Sequence, residues 1–138
     1  MSNTLVTPEC ILKVAGREYL FEGNFATFKA LQHALKKDVA EIQASVFTMP
    51  LCDFVALLHT LVKSAGGIAT EDEIGNWLIN DVGIDSPEYV MLRGEIVVFL
   101  TVAMSPRRDR EKKKADMAEF LQSVKSAAFR GENTSASA

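Results

Sequence analysis

The chain has 138 residues, 48% hydrophobic and 24% charged, which fits one globular domain able to bury about two thirds of its unfolded surface. Its net charge of −3 excludes a surface built throughout for a polyanion, because phosphate recognition needs clustered Lys and Arg. Two cysteines, Cys10 and Cys52, are too few for a disulfide framework and lack zinc-ligand spacing.

Residues 1–9 are polar and aperiodic, which predicts a flexible arm; with no basic stretch leading into an apolar one, they predict a cytoplasmic protein. From Cys10 to Gly23 two short apolar runs flank Ala15-Gly16, the pattern of a β-hairpin. An isolated two-stranded hairpin is marginal in water. It must therefore pack on the helices or pair with another chain, and Tyr19 and Phe21 are its candidate partner-binding side chains.

Asn24 is placed to cap a first helix with Phe25, Phe28, Leu31 and Leu35 along its apolar face. Asp38 and Glu41 have the spacing of a capping box, which predicts a short second helix through Val39, Ile42 and Val46. A third helix is expected to begin at Pro50, bury Leu51, Phe54, Val55, Leu58, Leu61 and Val62, and end at Gly66-Gly67. Thr70 with Glu73 predicts the start of a fourth, whose apolar side is Ile74, Trp77, Leu78 and Val82 and whose terminator is Gly83.

Ser86-Pro87-Glu88 combines an N-cap hydroxyl, a proline at the first helical position and an early acid. The helix it opens becomes apolar on nearly every side between Ile96 and Met104, and Ser105-Pro106 stops it. That run is about 14 Å long at about 1.5 Å per residue, against about 30 Å of membrane hydrocarbon. It is a buried core helix rather than a membrane span. The expected fold is mainly α, a small bundle of five to six helices with a short N-terminal β-hairpin, occupying residues 10–105.

After Pro106 the composition changes to Arg107-Arg108-Asp109-Arg110-Glu111-Lys112-Lys113-Lys114. A charged amphipathic helix is expected over residues 106–130, with Met117, Phe120, Leu121 and Val124 on one face, followed by a disordered polar tail over 131–138. That apolar face docks on the bundle or on a partner, and self-association is expected if it stays uncovered.

No catalytic, metal or cofactor constellation emerges. His33 and His59 lie near lysines rather than ligands, and Asp53, six residues before His59, points elsewhere on a helix. Glu71, Asp72 and Glu73 are explained by their place in a first helical turn, and Gly66-Gly67 has no phosphate-loop spacing. The basic run lacks interleaved aromatics, so nucleic acid is not the expected partner. A small helical DNA-binding regulator is the alternative reading.

The order of elements resembles the tail assembly chaperones of long-tailed phages and gene transfer agents. The likeness is carried by Gly16-Arg17-Glu18-Tyr19-Leu20, Phe25-Ala26-Thr27-Phe28-Lys29-Ala30-Leu31, Asp53-Phe54-Val55-Ala56-Leu57-Leu58, Ala65-Gly66-Gly67, Thr70-Glu71-Asp72-Glu73-Ile74 and Val82-Gly83, and spans Ile11 to Met104. The charged extension after Pro106 departs from the compact members. The resemblance implies a non-enzymatic protein of the host cytoplasm that needs no cofactor. It would bind the tape measure protein, keep it soluble until the tube polymerises, meet the tail tube protein, and be displaced rather than retained; some members also occur as a longer frameshifted product. Repeated weak helix-in-groove contacts would coat such a client by avidity.

Overall fold

Ala15 and Gly16 both take positive φ, 52° and 88°, the paired left-handed conformations of a two-residue hairpin turn. The strands they join are β1 (Glu9–Val14) and β2 (Arg17–Glu22), antiparallel with Cys10 opposite Phe21, Ile11 opposite Leu20 and Leu12 opposite Tyr19. The computed structural model describes residues 8–137, and side chains as far as 129. Of the expected arm, residues 1–7 lie outside the described residues. Pro8 is held by a hydrogen bond from the Gly23 amide to its carbonyl, 2.8 Å, and Glu9 already belongs to β1.

Six α-helices follow, so the mainly α bundle with an N-terminal hairpin is the observed architecture. They are α1 (Phe25–Leu35), α2 (Val39–Ser45), α3 (Leu51–Ser64), α4 (Glu71–Trp77), α5 (Pro87–Met104) and α6 (Arg110–Ser137). Local chemistry sets most of the boundaries. The Asn24 side chain accepts from the Thr27 amide at 2.9 Å, and the Ser86 hydroxyl from the Tyr89 amide at 3.1 Å. Capping boxes open α2 at Asp38 and α4 at Thr70. At the end of α3, Gly66 takes φ 86° and the Gly67 amide reaches back to the Val62 carbonyl, the wrapped hydrogen bond of a glycine-terminated helix.

Three expectations need correction. Phe25 is 77% exposed, while Thr27 is buried. At about 100° per residue Phe25 lies about 120° from Leu31, outside the stripe formed by Leu31 and Leu35. The fourth helix does not run unbroken to Gly83: α4 stops at Trp77, and 78–82 form a π turn closed by the Gly83 amide on the Leu78 carbonyl, 2.8 Å. Residues 131–137 are not an irregular tail, since α6 keeps helical backbone through Ser137 after a single 3₁₀ turn at Arg107–Asp109, and residue 138 lies outside the described residues.

Helix α5 runs through the core, with Tyr89, Leu92, Ile96, Val97, Phe99, Leu100, Val102 and Ala103 all buried. It also buries Arg93, 9% exposed. Arg93 donates to the Val46 carbonyl at 2.9 Å and to the Tyr89 hydroxyl at 2.6 Å, and its guanidinium carbon lies 4.5 Å and 5.0 Å from the ring centres of Tyr89 and Phe54. The cation thus sits at the carboxyl end of α2, where the helix dipole favours positive charge, and between two aromatic rings. Its Nε has no hydrogen-bond partner.

Helix α6 lies against α5. Gly94 makes the approach possible, because a Cβ there would come within 3.2 Å of Leu121 and 3.5 Å of Val124. Arg110 fastens the junction by donating to the Ser105 carbonyl at 3.0 Å and the Ala103 carbonyl at 3.4 Å. Replacing Arg93 by Ala is expected to lower unfolding free energy by about 2–3 kcal/mol, the scale of charge-assisted hydrogen bonds lost from a buried site, as measured by urea denaturation, with amide exchange rising first in α2.

Candidate docking groove around Trp77

Strand alternation decides which side of the hairpin is available. Cys10, Leu12 and Val14 with Tyr19 and Phe21 turn toward the body, whereas Ile11 (65% exposed) and Leu20 (42%) form an outward cross-strand pair. Phe21 is 1% exposed and belongs to the core, so it is not available to a partner. Tyr19 is half-buried, stacked with Phe21 at 6.4 Å between ring centres. Period two alone places Ile11 and Leu20 on the opposite face from Phe21, a signal that the aromatic residues overshadowed.

The four candidate residues on the last helix also turn inward. Met117 and Phe120 pack against the core, and Leu121 and Val124 are half-buried beside Gly94. Phe120 meets Phe47 edge-on at 6.3 Å. Their apolar surface is therefore partly covered by the chain's own α5 and the turn after α2.

An open surface borders Trp77, the single tryptophan, which is itself half-buried against the core. On one side of it a groove of about 730 Å³ lies between the hairpin and α4 with its π turn, bordered by Lys13, Arg17, Tyr19, Ile68, Glu73 and Asp81. On the other side a groove of about 300 Å³ is formed by Leu12, Val82, Glu88, Met91, Leu92, Glu95 and Phe129. Lys13 and Trp77 border both, which makes the two depressions neighbours across one indole ring. Ile68, 84% exposed, stands at the rim. The π turn supplies Asn80, Asp81 and Val82; such widened turns recur at functional sites.

Electrostatics are uneven in the smaller groove. Burial raises the Glu95 carboxyl above its ordinary value of 4.5. No ion pair of Glu88 or Glu95 occurs among the described residues. The Cys10 thiol is pushed up to about 12, first by burial and then by the neighbouring Glu95 charge, so it stays protonated at neutral pH and is a poor nucleophile. Elsewhere His59 Nδ1 lies 3.9 Å from a Glu71 oxygen, and among the described residues no three His, Cys, Asp or Glu side chains converge as a metal site. No described helix is long and apolar enough to cross a membrane. Compared with models of protein families, with curated proteins and with solved structures, the chain has no match.

Two outcomes are expected from this geometry. Folded protein holds the Glu95 proton more tightly than unfolded chain does, so stability is full below the unfolded pKa of 4.5 and falls as pH rises through the raised folded value. Glu95→Gln should therefore raise the melting temperature at about pH 7 and leave it unchanged at about pH 3 in thermal circular dichroism. Changing Phe120 and Leu121 together to Ser should detach α6 from the body, read as faster amide exchange along α6, since each buried large apolar side chain contributes about 1.5–3 kcal/mol.

Proposed function

We propose that this protein is a non-enzymatic tail assembly chaperone that binds the tape measure protein and keeps it soluble during tail morphogenesis. The observation that carries this reading on the structural side is the pair of grooves meeting at Trp77, an open surface combining apolar, aromatic and charged side chains. It suits the apolar stripes of a long helical client, which aggregate unless covered. On the sequence side the support is the order of hairpin, helices and glycine-terminated helix ends described above. Many copies holding weakly along one client would coat it by avidity and still be displaced singly when tail tube protein arrives.

The competing reading, a DNA-binding regulator, has the exposed Arg107, Arg108, Lys112 and Lys114 in its favour. Part of that basic segment is already engaged, with Arg110 on the carbonyls ending α5 and Arg108 3.9 Å from Asp109. A gel shift that appears at low salt and fades as salt rises would support it.

Co-expression with the tape measure protein is expected to raise the client's soluble yield and to co-purify both chains. Ile68→Asp should reduce that yield while changing stability by less than about 0.5 kcal/mol, as befits an exposed position. An unchanged client yield with no co-purification would count against the chaperone reading.

A further inference from the structure

Helix α5 offers two different sides to other helices. One is already taken: Gly94 admits Leu121 and Val124 of α6. The other supplies Glu88, Met91, Leu92 and Glu95 to the smaller groove. Their i, i+3, i+4, i+7 spacing places them on one stripe, with the carboxylates about 10 Å apart along the axis at both ends and two apolar side chains between them. Leu12, Trp77 and Val82 form the facing apolar wall, and Phe129 of α6 closes its margin.

This stripe is acidic where a purely apolar seat would be neutral. Across both grooves Glu73, Asp81, Glu88 and Glu95 outnumber the cations Lys13 and Arg17. Near Glu88 and Glu95 only Lys13 among the groove residues is basic, and it makes no ion pair with either. We propose that the smaller groove receives an amphipathic helix of the client carrying two basic residues about seven positions apart, which pair with Glu88 and Glu95 while apolar residues between them meet Trp77, Met91 and Leu92. The helical form of the occupant follows from the repeat on α5, whose charged ends and apolar middle match one face of a second helix packed alongside. The assignment rests on the chaperone reading only for which protein contributes the helix.

The test uses the full chain and two tryptophan-free helical peptides with the same apolar stripe. One carries Lys at two positions seven apart, the other Glu there. Trp77 fluorescence reports binding directly. The Lys peptide is expected to bind about tenfold more tightly at low salt, as two partly exposed ion pairs allow, and the preference should shrink as salt rises. In the Glu88→Gln/Glu95→Gln variant, with helicity verified by circular dichroism, the preference should fall to about twofold or less.

Equal affinity for the two peptides overturns the assignment. So does a preference that survives the double substitution, tighter binding of an extended peptide than of the helical one, or a Trp77 signal that depends only on protein concentration, which would mean a second copy occupies the groove. If the tape measure protein is solubilised while the two peptides bind equally, the chaperone reading stands and the groove assignment falls. If the Lys peptide is preferred but the client stays insoluble, the groove assignment stands and the chaperone reading falls.

Discussion

Burying α5 on nearly every side carries a permanent cation into the middle of the bundle, and much of the packing nearby accommodates it. Arg93 has no carboxylate partner among the described residues. It is satisfied by a carbonyl at the end of α2, by the Tyr89 hydroxyl, and by the faces of Tyr89 and Phe54. A guanidinium suits such a site better than an ammonium, being planar, more weakly hydrated and able to stack. The arrangement ties α2, α3 and α5 to one another at a single point. Arg110 repeats the principle at the other end of α5, where its donors meet carbonyls left over by the last turn.

Much of the fold is legible in short-range signals. Asn24, Asp38, Thr70 and Ser86 are all observed as helix caps, because each needs only a side-chain oxygen within three residues of an orphan amide. The glycines at 66 and 83 end their elements through positive φ. The all-round burial of α5 also follows from its composition. Where the reading failed, the deciding cause was geometric: Phe25 sat at the edge of a stripe by angle, and the π turn depends on one residue more than an α-helical turn holds. Helicity of α6 past 130 goes beyond what the polar composition of that segment suggested.

The candidate surface was less legible, for a reason that applies to any small bundle. Tyr19, Phe21, Met117, Phe120, Leu121 and Val124 are bulky apolar or aromatic side chains whose exposure is costly. The fold covers them to varying extents, Phe21 completely and the others in part. The candidate surface is assembled from residues distant in sequence: Lys13 on β1, Ile68 in a loop, Trp77 on α4, Glu88 and Glu95 on α5. No local pattern joins them. The one clue within reach was the repeat of charge and apolar character from Glu88 to Glu95, which the apolar run after it obscured.

The π turn at 78–82 has a consequence for how the chain tolerates changes of length. A π turn takes about one residue more than an α-helical turn to complete nearly the same rotation, so deleting one residue here and restoring regular winding would leave the exit at Gly83 facing nearly the same way. The Ser86 cap and the start of α5 would then still be aimed at the core they enter. Ile79, Asn80 and Asp81 are all exposed, and exposed backbone ordinarily accepts changes of length. The segment thus stores one spare residue of length, so a single deletion here disturbs the path into α5 less than a deletion inside a regular helix would, where each residue turns the chain by about 100°.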